Sequence, residues 1–110
     1  MVEIIAIVRP NKTQATKRVL IEAGCPGYTC QKVMGRGKRN VKIHLGDGSL
    51  IKTKLISKRF FIIAVEENKA DEVVKKIMEA NHTGEPGDGK IFISPIHSTY
   101  SVRKGKLDII

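Results

Sequence analysis

Apolar and polar positions alternate along this 110-residue chain in blocks separated by glycine- and proline-rich breaks. Residues 3–9 (EIIAIVR) are a β-branched run closed by Pro10, which predicts a first strand buried on both faces except at its charged ends. Asn11, with Gln14 three residues on, makes a loose capping box, and Ala15, Val19, Leu20 and Ala23 share one helical face. A first helix over 12–23, closed by Gly24, follows from that spacing. After Cys25-Pro26-Gly27, residues 28–34 predict a second strand ending at Gly35. Residues 58–65 (KRFFIIAV) predict a third strand. Asn68 then serves as an N-cap with Asp71 at the third helical position, and Ala70, Val73, Val74, Ile77 and Met78 form the stripe of a second helix ending near Asn81. A fourth strand over 90–94 leads through Pro95 to an alternating stretch, 96–103, that predicts a final edge strand.

Residues 35–57 sustain neither a period of 2 nor one of 3.6, and they read as a long loop. Loops beyond about 12 to 15 residues are uncommon in compact domains and are usually functional or mobile. The middle of this one, 41–45 and 50–54 around Gly46-Asp47-Gly48, has the pattern of a short hairpin.

An internal repeat ties the blocks together: at an offset of 57, Ile5, Val8, Asn11, Lys12, Glu22 and Ala23 reappear as Ile62, Val65, Asn68, Lys69, Glu79 and Ala80. Two βαβ units in tandem predict an α+β, ferredoxin-like β-α-β-β-α-β domain over 1–110, with an antiparallel sheet, both helices on one face and the long loop between strands two and three. The opposite face carries apolar strand residues and needs a cover, for which self-association is the simplest source.

Composition changes this picture in two ways. The core is aliphatic, since the chain has no Trp, three Phe and two Tyr. The net charge of +9 is concentrated: Arg36, Lys38, Arg39, Lys42, Lys52, Lys54, Lys58 and Arg59 face Asp47 alone between positions 36 and 59, which gives +7. Such a patch seeks phosphates, nucleic acid or an acidic protein face. No apolar run has the length of a transmembrane span, and the strand pattern starts at Glu3, so no signal peptide, no membrane insertion and a cytoplasmic location are expected.

The chemistry centres on residues 83–95, TGEPGDGKIFISP, a turn-rich stretch running straight into a strand. Gly87 and Gly89 bracket Asp88 and allow positive φ, and Lys90 adds a cation to the exposed N–H groups of the turn, the makings of an anion cradle. A plain glycine turn accounts for the same letters. Gly35-Arg36-Gly37-Lys38 repeats the GxGK spelling at the end of strand two, and Arg103 is a further cation, so a phosphate or nucleotide clamp becomes the favoured reading. Nothing competes as catalysis. His44, His82 and His97 are scattered, no Ser or Cys has a base in an identifiable motif, and Cys25 and Cys30 lack metal or disulfide spacing.

These residues carry a family resemblance. TGEPGDGKIFISP (83–95) is similar to the carboxy-terminal signature of PII signal-transduction proteins, and IIAIVRP (4–10), GYTCQKVMGRGK (27–38) and VRKG (102–105) support the match over nearly the whole chain. The resemblance implies a non-enzymatic, nitrogen-regulatory trimer that binds ATP or ADP in clefts between subunits, with 2-oxoglutarate and Mg²⁺ beside the ATP, and signals through its long loop. It implies that Thr29 contacts the base, that Gly35, Arg36, Gly37, Lys38, Gly87, Asp88, Gly89, Lys90 and Arg103 hold the ribose and phosphates, and that Lys58 pairs with a 2-oxoglutarate carboxylate. Arg39 stands where family members usually have the glutamine that holds Mg²⁺ and touches 2-oxoglutarate, and Ser101 replaces an arginine that assists the phosphates. The loop has no tyrosine to uridylylate; Ser49 lies within it as a candidate for phosphorylation, with a plain solvated serine the commoner reading.

GRGK, NHTGEPGDGK (81–90) and the tyrosine-free loop most resemble the branch that switches off nitrogenase in methanogenic archaea and some bacteria, which implies a homotrimer or a mixed oligomer with a related subunit and a nitrogenase component as target. Control of an ammonium channel or of glutamine synthetase is the alternative within the family. From another class, an RNA-binding module shares the element order, but residues 58–65 lack the glycine and alternating aromatics of its RNA-binding strand, and no aromatic falls in the first strand. A small phosphotransferase lacks a positioned nucleophile.

Overall fold

The computed structural model describes residues 1–44, 46 and 50–108, of which 37–44 and 50–54 are described by their backbone alone. Strand β1, Val2–Val8, buries Val2, Ile4, Ala6 and Val8 and leaves Glu3, Ile5 and Ile7 half-buried. It therefore has one core face, where burial on both was expected. The reason is the layering. Helices α1 (Thr13–Glu22) and α2 (Glu67–Asn81) pack on each other, and Leu20, Ala70, Val73 and Ile77 meet the inner face of the sheet.

The sheet is antiparallel throughout, in the order β2-β3-β1-β4, with β2 Thr29–His44, β3 Leu50–Val65 and β4 Lys90–Pro95. This is the ferredoxin-like β-α-β-β-α-β arrangement anticipated from the repeat. The register puts Ile4 opposite Ile63 on one side and Ile93 on the other, and Ala6 opposite Phe61 and Ile91. Phe61, Ile4, Leu20, Ile63 and Ile77 are almost wholly buried there. A fully buried side chain of this size contributes about 1.5 to 3 kcal/mol. On the opposite face Ile5, Ile7, Phe60, Ile62 and Ala64 are half-buried, and Phe92 is 52% exposed.

Local capping departs from the sequence reading. Asn11 lies inside a single 3-10 turn, Pro10–Lys12, and α1 starts at Thr13, whose Oγ1 donates to the Pro10 carbonyl at 2.7 Å. Pro10 fixes the φ that begins this tight turn and displaces the predicted cap. In α2 the capping position belongs to Glu66, with no side-chain cap, and Asn68 is already helical; Glu67 in the first turn complements the helix dipole instead. The helices are joined by a buried polar link: Asn81 Nδ2 donates to Thr16 Oγ1 at 3.0 Å and to the Ile77 carbonyl at 2.9 Å.

Two predictions of extent are corrected. The stretch 35–57 is strand on both arms over its described residues. Gly35 pairs with Ile56 and Arg36 with Leu55, and after a register shift Val41 to His44 pair with Thr53 to Leu50. The hairpin foreseen at the middle thus runs back to the sheet as one ribbon, because the backbone ladder continues where side-chain periodicity gives out. The stretch 96–103 is not an edge strand of this sheet: β5 (Thr99–Ser101) pairs with β6 (Lys106–Asp108) in a separate hairpin.

Candidate functional site

The loop 83–89 joins α2 to β4, and its shape comes from polar contacts. Asp88 is the hub. Its carboxylate accepts the Thr83 N–H at 2.8 Å, the Gly84 N–H at 3.0 Å and the Thr83 hydroxyl. From β1's end, Arg9 reaches the same carboxylate with Nε at 3.4 Å and Nη2 at 3.2 Å, and Nη2 also donates to the Pro86 carbonyl at 2.9 Å. The Thr83 hydroxyl and N–H, then the Gly84 N–H and Arg9, hold the Asp88 carboxyl far below the ordinary carboxylate range.

The two glycines flanking Asp88 are required by this geometry. Gly87 (φ +98°) and Gly89 (φ +104°) are left-handed, and a Cβ on Gly89 would stand 1.7 Å from the Ile7 carbonyl oxygen. The loop therefore lies hard against the end of β1. The N–H groups of Gly87 and Asp88 make no hydrogen bond to any described residue, and so remain available to an anion.

Lys58 comes to this loop from β3, where it pairs with Val33, and donates its ammonium to the Gly87 carbonyl. Only 7% of the residue is exposed. Burial, and then the Arg9 guanidinium nearby, lower its pKa, while Asp88 pulls the other way. Gly35 faces the same lysine, since a Cβ there would sit 3.8 Å from Lys58 Cγ. Lys90 starts β4 opposite Ile7. Under the loop, between α2 and β4, a cleft of about 340 Å³ is bounded by Gly89, Lys90, Val74, Met78 and Ile91.

Gly35, Lys58, Gly87, Asp88, Gly89 and Lys90 are thus brought to one end of the sheet. Three expected residues are not among them. Thr29 pairs with Ile62, four residues or about 13 Å along β3 from Lys58. Arg103 is exposed in the turn between β5 and β6. Arg36 is exposed on the ribbon opposite Leu55. Gly37 is described by its backbone, while the side chains of Lys38 and Arg39, and the whole of Ser49, lie outside the described residues. Asp88, expected among the phosphate contacts, spends its carboxylate inside the loop. Arg9 and Thr83 were missed; the signal available was, for Thr83, its polarity beside the glycine motif and, for Arg9, a charged residue closing an apolar strand. No group of His, Cys, Asp and Glu suited to a metal ion occurs among the described residues. Among them no helix is long and apolar enough to cross a membrane.

The model of the nitrogen regulatory protein P-II family matches residues 1–106. The chain belongs to the P-II family. A P-II protein of Synechocystis sp. is 39% identical, the match covering 98% of this chain and 96% of the relative. The nitrogen fixation nifHD region GlnB-like protein 2 of Methanothermobacter marburgensis is 37% identical, covering 96% and 94%. The nifHD1 region GlnB-like protein 1 of Methanosarcina barkeri is also 37% identical, covering 94% of each. P-II proteins are nitrogen-regulatory signal-transduction proteins and not enzymes, in keeping with the lack of a catalytic motif in the sequence. The methanogen relatives support the placement beside the nitrogenase-regulating branch.

Proposed function

We propose that this P-II protein senses ATP or ADP, and 2-oxoglutarate with Mg-ATP, and passes the result through the 35–57 ribbon to a target protein, a nitrogenase component. The observation that carries the reading is the bond from Lys58 to the Gly87 carbonyl, which joins the root of the ribbon to the glycine loop. A ligand at the loop has to negotiate with the residue on which the ribbon is based. Adenine nucleotide and 2-oxoglutarate binding are general to P-II proteins, and the donor set fits: free N–H groups at Gly87 and Asp88, with Lys58 and Lys90 beside them.

In this reading Gly35, Gly37, Lys38, Gly87, Gly89, Lys90 and Arg103 hold the ribose and phosphates, and Thr29 contacts the base. Lys58 takes a 2-oxoglutarate carboxylate, with Arg39 in place of the usual glutamine. Mg²⁺ arrives on the ATP phosphates, as that ion normally does. Thr29 and Arg103 stand apart from the cluster, which supports clefts shared between subunits of a homotrimer or of a mixed oligomer with a related P-II subunit. The names of the nifHD-region relatives support nitrogenase as target. An ammonium channel or glutamine synthetase, the alternative drawn from the family resemblance, is the second target to test.

Calorimetric titration with Mg-ATP, with and without 2-oxoglutarate, tests the sensor: ATP binds with a dissociation constant in the millimolar range or tighter, and 2-oxoglutarate alters the heat only when Mg-ATP is present. Absence of ATP binding overturns the reading. Target choice is decided by co-purification with the dinitrogenase component against glutamine synthetase and membranes carrying an ammonium channel.

A further inference from the structure

The residue that shapes the glycine loop lies at the far end of the sequence from it. We infer that Arg9 is a positioning residue for the anion-binding loop, acting through Asp88 and Pro86 rather than by contact with the bound phosphates. This rests on the nucleotide reading above.

Residues 82–86 are all exposed, so no apolar contact defines their path. What defines it is a set of hydrogen bonds that converge on Asp88, and Arg9 is the one cation paired with that carboxylate among the described residues. The guanidinium also takes the Pro86 carbonyl, so a single rigid fork spans the loop from residue 86 to residue 88. It lies behind Gly87: a Cβ there would come within 3.4 Å of Arg9 Nη2. The Gly87 carbonyl accepts from Lys58, and the Gly87 and Asp88 N–H groups make no hydrogen bond to any described residue.

Arg9 is itself well anchored. It follows Val8, which is 2% exposed, and it precedes Pro10, which confines it to the extended conformation observed, φ −66° and ψ 145°. Gly89 abuts the Ile7 carbonyl two residues earlier, so the same strand end sets both the loop's exit and its middle. A lysine has no fork with which to hold the Pro86 carbonyl and the Asp88 carboxylate together.

The test compares Mg-ATP affinity in wild type, Arg9→Ala, Arg9→Lys, Asp88→Ala and the Arg9→Ala/Asp88→Ala double variant, with amide hydrogen exchange on the ligand-free proteins. Arg9→Ala and Asp88→Ala each weaken ATP binding by about tenfold or more, and Arg9→Lys does not restore it. The double variant binds within about twofold of the weaker single, the non-additivity expected of residues that act as a unit. Exchange at the Thr83 and Gly84 amides quickens in Arg9→Ala while Ile4 and Ile63 keep wild-type protection. Wild-type affinity in Arg9→Ala overturns the inference. So does a loss on removing Arg9 that is as large in the Asp88→Ala background as in wild type, for that marks direct contact with the ligand. If Arg9→Ala fails to fold, Arg9→Lys carries the same comparisons. If wild type binds no ATP, the nucleotide reading falls, and the exchange at Thr83 and Gly84 alone decides for or against Arg9.

Discussion

Gly35-Arg36-Gly37-Lys38 and Gly87-Asp88-Gly89-Lys90 share a spelling and little of their structure. The first runs along a ladder, with Gly35 paired to Ile56 and Arg36 to Leu55. The second leaves regular structure, with both glycines at positive φ. The residue between the glycines accounts for much of the difference. An aspartate accepts hydrogen bonds from nearby backbone N–H groups and so rewards a turn, whereas an arginine has only donors, and the backbone it sits on keeps its sheet partners. A GxGK spelling is therefore weak evidence of a cradle until the middle residue is read. The two stretches meet all the same, since Lys58 lies against Gly35 and bonds to the Gly87 carbonyl.

The contrast breaks most sharply at the glycines. Gly89→Ala puts a methyl 1.7 Å from the Ile7 carbonyl oxygen, and β4 has to shift. Urea unfolding is expected to show a loss of about 3 kcal/mol or more, in the range of strained backbone substitutions. Gly35→Ala meets nothing nearer than Lys58 Cγ at 3.8 Å, and its effect stays within about 1 kcal/mol of wild type. Equal losses in the two variants would mean that the stretches are structurally equivalent.

Next in size is ligand binding. Lys90→Ala and Arg103→Ala each weaken ATP by about 1.5 to 3 kcal/mol, the range for hydrogen bonds to charged groups, and calorimetry reads the change. Unchanged affinity in both removes the phosphate clamp.

A pH effect distinguishes the loop from the ribbon. The Asp88 carboxyl is held below its ordinary value of 3.8, so the unfolded chain takes up the proton first as pH falls. Its contribution is whole above that value and is lost as acid carries the pH below it. The stability of Asp88→Asn accordingly falls less between neutral pH and pH 3 than that of wild type. Lys58 has the opposite sense. Its lowered pKa means that the charged form is disfavoured on folding, a cost present at neutral pH that fades as the pH rises through the folded value. Lys58→Met removes that cost together with the Gly87 contact, so the unliganded protein changes little in stability. The same variant retains ATP binding and loses the further change in ribbon hydrogen exchange that 2-oxoglutarate causes with Mg-ATP. Ribbon exchange that is identical in ligand-free, ATP and ATP plus 2-oxoglutarate samples would remove the ribbon as the output. Light scattering adds the smallest adjustment: the exposed Phe92 and the half-buried Ile5, Ile7 and Phe60 on the open face call for an oligomer, and a 12.2 kDa particle at micromolar concentration would refute it.

The sequence by itself determined the β-α-β-β-α-β order of the ferredoxin-like fold, the family and the loop 83–89. Each of these rests on local information: the β-branched run of 58–65, the helical stripe from Ala70 to Ile77, and glycines placed where a chain must turn. Tertiary structure decided what those residues meet. Arg9 and Asp88 are 79 positions apart, and Lys58 and Gly87 are 29 apart. No periodicity links such pairs; the antiparallel register of β1 with β3 and β4 does, by bringing the end of one strand to the start of another. The extent of the ribbon was hidden for a related reason. A two-stranded arm is held by backbone hydrogen bonds that every residue except proline can make, so the side chains of 35–57 carried no pattern from which its length could be read.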